Sequence, residues 1–319
     1  MKRIALLGGL IVLGGLSLLA AGFQAPAGQG RGEGRGRGEG RGRGPQGPNV
    51  AQIEKVRDDL YEITGGGGNS AAFITANGVV LVDTKLAGWG QAIMDKIKTV
   101  TDKPVVEIIN THTHGDHTGS NEYWHPSIEI VAHANTKANM EKMDAFKGGK
   151  AAYLPKHTFT DQLIIGSGKE EIDLYYFGRA HTNGDAWVVF KMDRVMHAGD
   201  AFAGLGAPLV DANNGGSAVE YGKTLEKASK EIKNVDSILT GHANKLMTMA
   251  DLKTFADYNN DFVEWVKKEI KAGKTSDQAT MEYKVPDRFA SKGVTASTGG
   301  LFGGIKGNIE TAYKELGKK

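Results

Sequence analysis

Residues 111–120 read THTHGDHTGS, which sets His112, His114, Asp116 and His117 within six positions, directly after the apolar run VVEIIN. Neutral imidazole and carboxylate are the donors that a borderline divalent metal such as zinc takes. In an extended segment alternate side chains share a side, so His112 and His114 project together. The stretch reads as half of a metal site. Its competitor is a polar loop with incidental histidines, a reading that fails if the missing donors stand elsewhere in the chain.

Sheet ends bring loops together in space, so the remaining donors are expected after later strands. GRAHTNGD places His181 just after the strand-like DLYYFG, MHAGDAF places Asp200 at the end of another strand, and LTGHAN places His242 after the apolar VDSILT. Two sets emerge: His112, His114 and His181 for one metal, and Asp116, His117 and His242 for a second, with Asp200 between them. Each set has three protein donors and leaves room for water.

This order of motifs, HxHxDH followed by single His, Asp and His positions at strand ends, resembles the metallo-β-lactamase superfamily. The resemblance runs from about Asn49 to His242 and includes VVLVDT, where Asp83 matches the family's early aspartate behind the ligands. It implies an α/β fold, a four-layer αβ/βα sandwich with the metals at one edge of two sheets. It also implies two zinc ions per chain holding a bridging water, lowering its pKa toward neutrality and presenting hydroxide to a substrate carbonyl. Asp116 is then the catalytic residue, orienting that hydroxide and passing its proton to the leaving group.

The substrate is less legible, because one fold hosts many chemistries. Lactamases of the cysteine-containing type put a thiolate where Asp200 stands, and those with a histidine-rich second site usually lack the bridging aspartate. Asp200 therefore aligns the chain with glyoxalase II-like and lactonase-like members. The superfamily's nucleases insert a large domain, for which the stretch between Asp200 and His242 is too short. The polar segment LGAPLVDANNGGSAVEY after Asp200 is expected to line the substrate pocket. The reading is an exported dinuclear zinc hydrolase of a small-molecule ester, lactone or β-lactam. Its rivals are an iron-dependent oxidoreductase of the persulfide dioxygenase kind and a non-catalytic binding protein on the same scaffold. A diiron enzyme with a flavin domain does not fit this layout.

Outward from the motif, the N-terminus has Lys2 and Arg3 before IALLGGLIVLGGLSLLAAG, the pattern of a signal peptide over residues 1–25. Export to the periplasm or beyond follows, with an uncleaved anchor as the competing reading. Residues 26–48 hold the repeat RGEGRGRGEGRGRGPQGP, a disordered tether suited to weak contact with membrane or envelope polymers. The leader and tract carry five net positive charges, so the +2 of the whole chain leaves −3 for residues 49–319. That domain has no basic excess for a nucleic-acid backbone. With Cys 0, stability comes from core burial and bound metal rather than disulfides.

Within the domain, AAFIT and VVLVD across Asn77-Gly78 read as a β-hairpin. GGGGNS before it lacks the Lys-Ser/Thr ending of a phosphate loop and reads as a flexible loop. After Gly241 two helical stripes appear, Leu252, Phe255, Phe262, Trp265, Val266 and Ile270, then Leu301, Ile305, Ile309, Tyr313 and Leu316. Among the other histidines, His133 reads as structural, His197 as either a core residue or support for Asp200, and His125 and His157 carry no chemistry.

Overall fold

The structure is a computed structural model that describes residues 51–296 and 304–317. The leader, the Arg/Gly-rich tract and Leu301 lie outside the described residues. Seven strands form the first sheet in chain order: β1 (Gln52–Lys55), β2 (Leu60–Thr64), β3 (Ser70–Ile74), β4 (Val79–Val82), β5 (Val105–Asn110), β6 (Glu129–His133) and β7 (His157–Phe159). Pairing is antiparallel as far as β4 and parallel from β4 to β7. The hairpin expected across Asn77-Gly78 is β3 and β4, with Ile74 opposite Val79.

The second sheet has β8 (Gln162–Ile165), β9 (Ile172–Tyr175), β10 (Trp187–Phe190), β11 (Val195–His197) and β12 (Ser237–Leu239), in the order β12-β11-β10-β9-β8. All its pairings are antiparallel except β11 with β12.

Strand alternation builds the layers. Val80 and Val82 of β4 point between the sheets, where they join Ile109, Val131, Leu174, Val188, Phe190 and Leu239 in one buried cluster. Val79 and Leu81, one residue out of phase, point the other way onto Ile93 and Ile97 of α1 (Gly90–Ile97). Buried on both faces, β4 has no polar residue at all. Two short helices, α2 (Gly115–Thr118) and α3 (Ala134–Met140), follow β5 and β6.

On the far side Trp187, Val189, Met196 and Ile238 of the second sheet meet Tyr221, Leu225 and Ala228 of α4 (Tyr221–Glu231) and Leu252, Phe255 and Ala256 of α5 (Met249–Lys271). The result is helix, sheet, sheet, helix. Each fully buried large side chain here contributes about 1.5–3 kcal/mol over its exposed state.

The C-terminal part adds α6 (Ser276–Glu282), α7 (Asp287–Ala290) and α8 (Gly304–Leu316). The expected stripe of α5 is buried along Leu252, Phe255, Phe262 and Val266, and the last of these packs with Ile305 and Ile309 of α8. Thr248 and Asp251 close a capping box at the start of α5, which sets where it begins after the second sheet. Among the described residues no helix is long and apolar enough to cross a membrane.

One boundary differs from expectation. DLYYFG leaves the sheet after Tyr175, because Tyr176 turns to stack on His133 at 4.0 Å and Gly178 takes a φ of +128°. His181 thus sits beyond a short irregular segment rather than directly on a strand end.

Candidate metal centre

The site stands at the C-terminal ends of β4, β5, β11 and β12 together with the segment after β9. β5 ends at Asn110, whose side chain pairs with Asn121 at 2.8 Å, while Asn121 also accepts from Thr84 Oγ1 at 2.8 Å. This lock holds the HxHxDH loop to the strand before it. His114 is still extended, with φ −64° and ψ 147°, and then the chain coils for one turn, with His117 N bonded to His114 O at 3.0 Å. Extended backbone sends His112 and His114 one way, and the turn swings Asp116 and His117 beside them.

Seven side chains meet there. His112, His114, His181 and Asp200 form one group and Asp116, His117 and His242 another, each with its donor atoms within 4.8 Å of one another. Asp200 lies between them: Oδ1 is 3.3 Å from His117 Nε2, and Oδ2 is 3.7 Å from His181 Nε2 and 3.2 Å from His242 Nε2.

The hydrogen bonds decide which nitrogen of each ring faces the centre. His114 Nε2 is 2.7 Å from Asp211 Oδ2, and His181 Nδ1 donates to Leu209 O at 2.7 Å, so His114 Nδ1 and His181 Nε2 face each other at 2.9 Å. Thr111 Oγ1 donates to Asp83 Oδ2 at 2.7 Å, and having one proton it accepts from His112 Nδ1 at 3.0 Å. His117 Nδ1 donates to the same Asp83 oxygen at 2.6 Å. One buried carboxylate thereby orients a ring in each group.

Three atoms are left over. His112 Nε2, His117 Nε2 and Asp200 Oδ1 are buried without a hydrogen-bond partner. Such orphans cost about 1–3 kcal/mol each, and here they converge on the two groups. Lone pairs of imidazole and carboxylate, buried, oriented from behind and aimed at common points, fit a divalent cation such as zinc at each group.

The electrostatics have the same sense. Burial, helped by the neighbouring rings His117 and His181, holds His112 well below the usual imidazole range, and burial also lowers His181. For His117 burial opposes charge, but Asp200 and Asp83 outweigh it and hold the ring well above that range. For His242 burial is again outweighed, by the hydrogen bonds its ring donates to Asp116 and Asp200, and the ring is pushed up to about 9. Asp200 is buried, yet it is held well below the carboxylate range, chiefly by His117. The carboxylates thus favour positive charge beside His117 and His242, while burial works against it on His112 and His181.

Glycines let backbone approach the ligands. A Cβ on Gly241 would lie 1.8 Å from Asp200 Oδ1, one on Gly67 2.6 Å from Asp116 Cβ, and one on Gly68 2.2 Å from the His117 ring. The GGGGNS stretch, read from sequence as a flexible loop, is therefore packed onto the centre. Likewise LGAPLVDANNGGSAVEY was expected to line a pocket, and its Leu209 and Asp211 hold His181 and His114 from behind. Sequence reasoning missed Asp211, since no motif spacing links it to His114.

The remaining histidines sort out. His197 is buried, its Nδ1 accepting from Gly199 N at 3.1 Å and its Nε2 facing Asn69 O at 3.1 Å, so it steadies the turn that carries Asp200. His133 caps α3 through Asn135 N, and His125 and His157 lie at the surface away from the centre.

Residues 63–242, more than half the chain, match the model of the metallo-beta-lactamase superfamily. The chain belongs to that superfamily. It is 26% identical over 206 residues to the metallo-beta-lactamase type 2 of Elizabethkingia meningoseptica, which covers 60% of this chain and 78% of that one. It is 28% identical over 185 residues to metallo-beta-lactamase IND-1 of Chryseobacterium indologenes, covering 54% and 71%. Among solved structures, DIM-1 metallo-beta-lactamase superposes with a TM-score of 0.56 at 18% identity over 66% of this chain and 98% of its own. The sec-alkylsulfatase Pisa1 from Pseudomonas sp. superposes with 0.69 at 16% identity over 85% of this chain, which spans 51% of the sulfatase. These likenesses confirm the four-layer superfamily fold, and membership supports a metal-dependent hydrolase at the level of the superfamily.

Proposed function

We propose that this protein is an exported dinuclear zinc hydrolase acting on an ester, lactone or β-lactam carbonyl. The observation that carries the reading is the trio of buried, partnerless donor atoms, His112 Nε2, His117 Nε2 and Asp200 Oδ1, converging on the two side-chain groups. His112, His114 and His181 would hold one ion, Asp116, His117 and His242 the other, and Asp200 would touch both. Bound there, the ions supply a water of near-neutral pKa and a Lewis acid for the carbonyl.

The protein's own groups supply the rest. Asp83, Asp211 and Leu209 O keep the rings of His112, His117, His114 and His181 from turning. Asp200 is almost enclosed, with its side chain 9% exposed, whereas that of Asp116 is 28% exposed. Asp116 can thus accept a hydrogen bond from the water and hand its proton to the leaving group. The glycine segment and Asn69 close one flank of the centre against bulk water.

Export rests on the leader-like sequence of residues 1–25, and it favours extracellular lactams, lactones or esters over cytosolic thioesters. The partner is a small molecule, since residues 49–319 carry a net −3 and have no basic excess.

The test is metal content by mass spectrometry on protein purified without added metal, with turnover of a β-lactam, a lactone and an aryl ester in the same preparation. Two zincs per chain with one class hydrolysed, and an Asp116→Asn variant slowed by roughly 10²–10⁴ with its circular dichroism unchanged, is the expected result. Iron with no hydrolysis would replace this reading with the persulfide dioxygenase kind.

A further inference from the structure

We propose that Lys85 is a positioning residue that clamps the four-glycine loop shut against Asp116 and His117 and so sets the second metal group. The proposal rests on the dinuclear reading for its consequence, though not for its geometry.

The Lys85 side chain is fully buried. It belongs to neither side-chain group, and nothing in the proposed chemistry uses it. Its ammonium nitrogen donates to Ile63 O and to Gly68 O, both at 2.8 Å. These carbonyls stand on the two sides of residues 64–67, so one side chain ties the entry of the loop to its exit.

What the loop touches gives the clamp a purpose. Gly67 lies against Asp116 and Gly68 against the His117 ring, closely enough that a Cβ on either would overlap them. Gly68 N donates to Asp116 O at 3.1 Å. The next residue, Asn69, donates from its backbone to Gly241 O at 2.7 Å and from its side chain to Thr240 O at 3.1 Å and Ala243 O at 2.9 Å, the residues around His242. The loop therefore bonds or packs to each segment that carries a ligand of the second group.

Consecutive glycines lose more conformational freedom on ordering than any other residues. Gly65, Gly66 and Gly67 all hold positive φ, at 89°, 72° and 103°. A loop of this kind keeps one shape only when something outside it holds both ends, and Lys85 does. The backbone around Lys85 aims its side chain there, since Asp83 and Lys85 both occupy the left-handed region, with φ of 60° and 64°, on either side of Thr84. The kinked tripeptide sends Asp83 to His117 Nδ1, bonds Thr84 N to His117 O at 2.7 Å, and sends Lys85 to the loop. A single strand end thus serves His117 from behind and the glycine loop beside it.

The experiment compares the full-length wild-type chain with Lys85→Met, which keeps the length and removes the donors, and with Lys85→Gln, which keeps two donors on a shorter stem. Zinc binding is read by competition with a chromophoric chelator, and amide exchange is followed at residues 66–69. In Lys85→Met the first zinc should bind as in wild type, the second should weaken at least tenfold, and exchange at residues 66–69 should speed up. Lys85→Gln should fall between the two, and it carries the same readouts if the methionine variant does not fold. Equal weakening of both zincs would mark a merely structural role and overturn the proposal, as would unchanged loop exchange. A wild-type chain holding one zinc would count against the dinuclear reading, and loop exchange in the variants would still decide the role of Lys85.

Discussion

Asp211 Oδ2 stands 2.7 Å from His114 Nε2 across 97 residues of chain, and this contact, with Leu209 O on His181, ties the loop after Asp200 to the first metal group. The carboxylate is itself held by Asn214 Nδ2 at 2.6 Å, and the hydrogen bond from His114, followed by that from Asn214, keeps it well below the usual carboxylate range. Asp211→Ala should leave His114 free to rotate. A loss of about 10–100-fold in metal affinity or activity is expected, read by chelator competition beside steady-state kinetics, and an unchanged affinity would remove Asp211 from the centre's support.

Gly241 faces Asp200 with no room for a methyl group, as a Cβ there would sit 1.8 Å from Asp200 Oδ1. Gly241→Ala should push that carboxylate off the line between the two groups without disturbing either sheet. A displacement of this order costs about 10²-fold in turnover. The measurement is kcat together with zinc per chain, with circular dichroism to establish that the fold persists.

Metal removal should cost both stability and protons. An ion that binds only the folded chain, at a hundred times its Kd, stabilises by about 2.7 kcal/mol, so chelation should lower the Tm by roughly 4–5 °C for a chain of this size. In the metal-free protein the His242 ring is pushed up to about 9, burial being outweighed by the hydrogen bonds it donates to Asp116 and Asp200, and His117 is also held well above its usual range. Both rings are then protonated at pH 7 and must lose those protons to bind a cation. Affinity should rise with pH up to about 9, and calorimetry in buffers of different ionisation enthalpy should show protons released on binding.

Glu107 and Glu129 lie directly opposite each other on β5 and β6. Burial first, and then the Glu129 charge, raise Glu107 from 4.5 to about 7. A carboxyl raised in the folded state contributes stability that is full below 4.5 and lost as pH rises through about 7. Glu107→Gln removes the repulsion, so it should stabilise the chain by about 1 kcal/mol at pH 8, a figure reduced for solvent screening, and leave it nearly unchanged at pH 5. Urea unfolding at the two pH values checks the sign.

Much of the architecture is legible in the sequence. The hairpin of β3 and β4 shows in its alternation and its Asn77-Gly78 turn, and the stripes of α5 and α8 in their helical spacing, because burial of one face imposes a period that sequence displays directly. His112, His114, Asp116 and His117 are legible because few local structures call for so many imidazoles together. Asp211, Leu209 O and Lys85 are not. Each acts through a contact with residues distant in sequence, and an aspartate in a polar loop or a lysine after a strand has no pattern that tells support from surface. The glycine run is visible, but its closeness to Asp116 and His117 is not, since glycine marks both mobile loops and places where backbone approaches closely.

Seven donors of the right chemical type, in order, are written in the sequence, as are the periods of single strands and helices, while the arrangement in two sheets and two helical layers is legible only through the resemblance to the superfamily. The fold decides which nitrogen of each ring looks inward, that Asp83 serves both groups, and that the glycine loop packs onto Asp116 and His117. Donor type and strand period are properties of single residues and their near neighbours. Ring orientation depends on partners such as Thr111, Leu209 and Asp211, which meet the histidines only after the sheets have closed.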